Sequence, residues 1–119
     1  MQVETMSAYA RLLRIIAHPT RLMILAELME AEKCVNDIGD LLNVRQPNAS
    51  QHLAILKENG LVAFRKEGAS RCYYLARPGL VEGLFAMLER HHAGRVDADA
   101  GGAHSRQRNA SPSSGGSAR

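Results

Sequence analysis

Residues Asp37 to Asn59 constrain the fold most, because they hold two stretches of helical spacing separated by a short break. Ile38, Leu41 and Leu42 give the first stretch an apolar stripe. Asn43, Val44 and Arg45 interrupt it. The second stretch runs from Gln46 to Asn59, with Pro47 in the first turn, where a missing backbone N–H costs little. Ala49, Leu53 and Leu56 share a three-to-four spacing and are expected to face a core. Gln46, Asn48, Ser50, Gln51 and His52 are then left at or near the outer surface, with Lys57 close to the end. Amide, hydroxyl and imidazole groups at the front of an exposed helix suit hydrogen bonding to base edges in a DNA major groove. The same residues also suit the solvated face of a small helical bundle, so the segment after the helix has to decide.

After Asn59-Gly60, a left-handed helix stop, the periodicity changes. Leu61 to Lys66 and Arg71 to Leu75 are rich in β-formers and flank Glu67 to Ser70, which predicts a hairpin. Arg65, Lys66 and Arg71 near its tip are placed to meet phosphates. A charged tip alone often serves only solubility, but directly after a helix-turn-helix it reads as a wing.

The rest of the chain is mostly helical. A first helix is expected from Glu4 to Ala17, with Tyr9, Leu12, Leu13 and Ile16 on one apolar face. His18-Pro19-Thr20 interrupts it, and the Thr20 hydroxyl is expected to cap a second helix that reaches Glu30 with Leu22, Ile24, Leu25 and Leu28 largely inward. Lys33 to Val35 is a short extended link. Beyond Pro78-Gly79, Leu80, Val81, Leu84, Phe85, Met87, Leu88 and His91 predict a last helix ending near His92. The first and last helices carry more apolar surface than a domain of this size covers by itself, which predicts a dimer built on them.

These elements make a mainly α chain with a small β-hairpin. Residues 1–92 are expected to be one winged helix-turn-helix domain for DNA binding and dimerisation, and 93–119 a disordered Gly/Ser/Arg tail. With 45% hydrophobic residues, no Trp and few Phe or Tyr, the core of this 119-residue chain must be aliphatic, which favours helices. No apolar run approaches the roughly 20 residues of a membrane span, and the start does not resemble a secretion signal, so a cytoplasmic location is expected. Cys34 and Cys72 are then expected to rest as thiols. The net charge of +3 is modest, and without the tail 11 basic residues face 10 acidic ones, so any DNA-binding surface must come from local placement. No carboxylate pair, nucleophile–base spacing or phosphate loop suggests an enzyme.

Three segments resemble the ArsR/SmtB family of bacterial winged-helix repressors. LRIIAHPTRLMIL (Leu13 to Leu25) is similar to its Ala-His-Pro-x-Arg approach to the second helix. QPNASQHLAILKENGLV (Gln46 to Val62) resembles its recognition helix and following strand, and RKEGASRCYYL (Arg65 to Leu75) its wing. The likeness covers Ala8 to Leu88. It implies a homodimer that binds double-stranded DNA at an inverted-repeat operator and releases it when an inducer binds, with no cofactor required.

Two departures from the family bear on the inducer. Members that sense arsenite or lead carry Cys-Val-Cys where this chain has Cys34-Val35-Asn36, and an amide is a poor ligand for a soft ion. Zinc-sensing members place Asp and His ligands on the last helix, where this chain offers Glu82, Glu89, His91 and His92 without the Asp-x-His start. Adjacent His91 and His92 point about 100° apart on a helix and suit a helix end better than a shared ion. Cys34 and Cys72 remain as sensor candidates, in segments that can be neighbours in a three-stranded sheet. Each is also an ordinary small core residue. Lys33 and Arg71, each directly before a cysteine, are expected to favour its thiolate. Thiol redox or reactive-sulfur chemistry at this pair is the expected signal. The alternatives are a soft metalloid at the cysteines, zinc on the last helix, or an interaction module that no longer binds DNA.

Overall fold

In the computed structural model of the chain, residues 2–102 are described, and they run α1 (Val3–Ile16), α2 (Pro19–Glu30), β1 (Lys33–Cys34), α3 (Val35–Leu42), α4 (Gln46–Glu58), β2 (Val62–Glu67), β3 (Ser70–Leu75) and α5 (Pro78–Gly102). The part up to Glu82 is one unit. Its core is aliphatic, as the composition requires: Ile24, Leu25, Leu28, Ile38, Leu53, Leu56, Leu61 and Val62 are buried, joined by Cys72, Tyr73 and Val81. Ala49, Leu53 and Leu56 form the inner face of α4, as their spacing predicts.

Two helix ends set the geometry of the helix-turn-helix. At the end of α3, Asn43 takes the left-handed conformation (φ 54°) and the Val44 N–H turns back to the Gly39 carbonyl at 2.9 Å. A Cβ on Gly39 would lie 3.0 Å from the Val44 carbonyl oxygen, so a larger residue there requires the turn to give by a few tenths of an ångström. At the end of α4, Gly60 (φ 77°) donates to the Lys57 carbonyl and Leu61 to the Leu56 carbonyl, the two bonds of a Schellman motif. That motif drops Leu61 into the core and aims the chain into β2.

The sheet has the order β1-β3-β2 and is antiparallel throughout. Opposed residues share a face, so the register separates two rows. Phe64 pairs with Tyr73 and Lys66 with Arg71 on one face, while Arg65 pairs with Cys72, and Cys72 with Cys34, on the other.

Several expectations are corrected. The cap of α2 is His18, whose Nδ1 accepts from the Thr20 N–H at 3.1 Å; Thr20 is already inside the helix that Pro19 opens. Leu41 is 56% exposed, because an eight-residue helix buries only the stripe through Val35, Ile38 and Gly39. On α1 only Ile16 is buried, leaving Met6, Tyr9 and Leu13 as an exposed stripe. Helix α5 passes His92 and continues to Gly102, so residues 93–102 are helical rather than a disordered tail. That stretch, with three alanines and three glycines, carries no apolar period to detect. Residues 103–119, with Arg106, Arg108 and Arg119, lie outside the described part. Along α5, Met87 and Leu88 are exposed. Among the described residues, no helix is long and apolar enough to cross a membrane.

Candidate nucleic-acid interface

The outer surface of α4 divides into three strips. Gln46, Ser50 and Lys57 lie on the side toward the hairpin and, with Phe64, Arg71 and Ser70, border a groove of about 630 Å³. Asn48 and Gln51 are exposed at the front. His52 faces the opposite way. Its Nδ1 accepts a hydrogen bond from the Arg21 Nε at 3.2 Å, and its ring lies 4.6 Å from that of His18. Arg21 is fixed in turn by donating from its second nitrogen group to the Ile15 carbonyl at 3.0 Å. His52 therefore does not join the other polar residues of α4; it ties that helix to the start of α2.

The wing is divided by strand alternation. Phe64 meets two cations, with the Arg71 guanidinium 4.5 Å and the Lys57 ammonium 5.5 Å from its ring centre, within cation–π range. Tyr73 supports the same ring at 5.4 Å. Lys66 and Arg71 stand directly opposite each other, a like-charge pair that costs stability unless an anion answers it. Among the described residues neither makes an ion pair. Arg65 points to the other face and is held by Glu32 and Glu67. It therefore lies on the opposite face of the hairpin from Lys66 and Arg71.

On that other face the Cys34 and Cys72 sulfurs are bonded, in place of the resting thiols expected, with Cα atoms 3.7 Å apart. The expected helpers are engaged elsewhere. Lys33 donates to the Glu27 carbonyl at 2.8 Å and pairs with the Glu27 carboxylate, while Arg71 lies over Phe64. Among the described residues no three His, Cys, Asp or Glu side chains come together to hold a metal ion, and Glu82, Glu89, His91 and His92 are separately exposed on α5.

Residues 18–63 match the profile of bacterial regulatory proteins of the arsR family. The biofilm growth-associated repressor of Agrobacterium fabrum is 40% identical over 82 residues, covering 66% of this chain and 70% of that protein. The chain belongs to the ArsR family. The transcriptional repressor SmtB of Mycobacterium tuberculosis is 42% identical to this ArsR-family chain over 73 residues, covering 61% of the chain, which spans about half (54%) of SmtB. Among solved structures, a homodimeric winged helix-turn-helix DNA-binding domain from Mycobacterium bovis superposes with a TM-score of 0.65 at 28% identity, covering 88% of this chain and 92% of that one.

Sequence reasoning missed Arg21, Phe64 and Glu32. Strand alternation alone would have set Phe64 with Lys66 and Arg65 with Cys72. Nothing local announces Arg21 and Glu32, because their partners lie 31 and 33 residues away.

The His52 contact carries a prediction for stability. Burial, then the neighbouring charges of His18 and Arg21, hold the His52 imidazole below its usual pKa. The unfolded chain thus binds a proton more readily than the folded one, and stability is lost as pH falls from above about 6.5 toward the depressed folded value. Thermal melts between pH 7.5 and 5 should show a declining midpoint for the wild type, with a shallower decline for His52→Gln. Parallel declines would remove His52 as the cause.

Proposed function

We propose that this ArsR-family chain is a homodimeric transcriptional repressor that places α4 in the major groove of double-stranded operator DNA. One observation carries the reading: Gln46, Ser50 and Lys57 of α4 and Arg71 of the wing border a single groove, so base-edge and phosphate contacts can be made together. Gln51 and Asn48, at the exposed front of α4, are the base readers, each worth about 1–3 kcal/mol of discrimination if bidentate. Lys66, Arg71 and Lys57 are the phosphate contacts. The homodimeric relative from M. bovis supports a two-fold assembly. Two reading helices then meet half-sites of an inverted repeat about one DNA turn apart. Such a repressor works in the cytoplasm.

We further propose thiol redox chemistry at Cys34 and Cys72 as the signal. The pair ties the N-cap of α3 to β3, so making or breaking its bond shifts the helix-turn-helix relative to the wing. Gel shifts on the DNA upstream of the chain's own gene test both parts. Specific retardation is expected, with affinities that differ between the bonded and reduced proteins. Cys34→Ser and Cys72→Ser should each abolish that difference. Absence of any specific complex in either state would exclude the repressor, and equal affinities of the two states would exclude the cysteine signal.

The wing makes its own prediction. Arg71→Ala should weaken all sequences alike and reduce the slope of log affinity against log salt by about 1. Arg65→Ala should leave that slope nearly unchanged, because its charge is already answered by two carboxylates. Salt titrations of both variants decide; an equal loss of slope would return Arg65 to the DNA side.

A further inference from the structure

The bonded sulfurs border a groove of about 400 Å³, apart from the proposed DNA surface, and its rim is charged. Cys72 is 2% exposed, whereas Cys34 is half-buried, so a reagent reaches the bond through the Cys34 sulfur. Glu32, Asp37 and Glu67 border the groove. The cations beside them are already matched: Arg65 is shared between Glu32 and Glu67, and Lys33 is bound to Glu27. A reagent approaching Cys34 therefore meets net negative charge.

We infer that this groove is a reagent-selective opening to the Cys34–Cys72 bond, favouring uncharged or cationic small thiols and uncharged peroxides over anionic thiols and polysulfides. The inference rests on the redox reading above and names the reagent class of that same site. In reduction, a small thiolate attacks the Cys34 sulfur. The Cys34–Cys72 bond breaks and Cys72 leaves as thiolate. A second thiolate then attacks the reagent's sulfur in the mixed disulfide, releasing Cys34 thiolate and the oxidised reagent. Two electrons pass to the protein. In oxidation by a peroxide, one thiolate attacks a peroxide oxygen to give a sulfenic acid and hydroxide. The second thiolate displaces hydroxide from that sulfur to form the disulfide.

The test uses the full chain in its bonded form and three small thiols of different charge: cysteamine, 2-mercaptoethanol and thioglycolate. Reduction rates are followed by mass spectrometry and corrected for each reagent's thiolate fraction and basicity. Cysteamine should be fastest and thioglycolate slowest, by roughly threefold per unit of reagent charge at low salt. The spread should collapse in high salt. Glu67→Gln and Asp37→Asn should each narrow it, without either residue touching the proposed DNA surface. A flat or reversed order in the wild type, or a spread untouched by salt and by both substitutions, overturns the inference. A chain found with both thiols free after aerobic purification and peroxide treatment overturns it as well. Failure of the redox signal itself looks different: the charge order holds, but operator affinity is the same before and after reduction.

Discussion

Leu53→Ala should destabilise the domain by about 2–5 kcal/mol, a large share of the 5–15 kcal/mol that folded domains possess. Leu53 is fully buried on the inner face of α4, between Ala49 and Leu56, in a core with no buried polar or charged side chain among the described residues. Truncation there removes transfer energy and leaves a cavity whose walls belong to several elements, so collapse can recover only part of the loss. The same change at Leu41, which is exposed, should stay within about 0.5 kcal/mol. For a domain of this size each kcal/mol moves the melting midpoint by about 4–8 °C. Leu53→Ala should therefore melt at least about 8 °C below the wild type, and Leu41→Ala close to it. Equal midpoints for the two variants would mean that α4 is not anchored by its inner face. Operator binding by Leu53→Ala, measured well below its midpoint, should keep its sequence preference, since no reading residue is altered.

The elements that the sequence makes legible are those that obey a local period. Ala49, Leu53 and Leu56 locate the inner face of α4, and Asn59-Gly60 its end, because a buried face and a Schellman turn are both written within one or two helical turns. The hairpin is legible for the same reason, and its two-residue alternation contains the assignment of Arg65 to the disulfide face. What escapes is pairing at a distance. His52 looks like a reading residue from α4 alone, and only the Arg21 side chain, 31 residues earlier, turns it into a tie between helices. Lys33 looks like an activator of Cys34 until Glu27 is seen to hold it, since adjacency in sequence says nothing about which carboxylate an ammonium reaches first. The continuation of α5 past His92 escapes for a third reason: residues 93–102 mix helix-favouring alanines with as many glycines and leave no apolar stripe. The cysteine pair lies between these cases. Two positions on expected neighbouring strands allow a bond, and the direct opposition of Cys34 and Cys72 follows only from the register of β1 on β3.

Leu88→Glu and Leu13→Glu should each convert the proposed dimer to monomers. In the single chain both leucines are at the surface, Leu13 57% and Leu88 42% exposed, so neither change should lower monomer stability by more than about 0.5 kcal/mol. Their neighbours make them something other than scattered apolar residues. Met6, Tyr9 and Leu13 form one stripe on α1, and on α5 Leu88 follows the half-buried Leu84 and Phe85 at four- and three-residue spacing. In a two-fold interface every substitution appears twice, so each variant would bury two carboxylates without partners, a cost of several kcal/mol. Loss of the dimer also removes the second reading helix. The advantage of tethering two half-site contacts is about 10²–10⁴-fold, and operator affinity should fall by that order while weak half-site binding remains. Light scattering gives the mass and circular dichroism the fold. Folded monomers with weak operator binding are the expected result for both variants. An intact dimer for Leu88→Glu would take α5 out of the interface, and an intact dimer for Leu13→Glu would do the same for α1. A folded monomer that keeps full operator affinity would overturn the claim that two reading helices are needed, since one α4 with its groove and wing would then supply all of the binding.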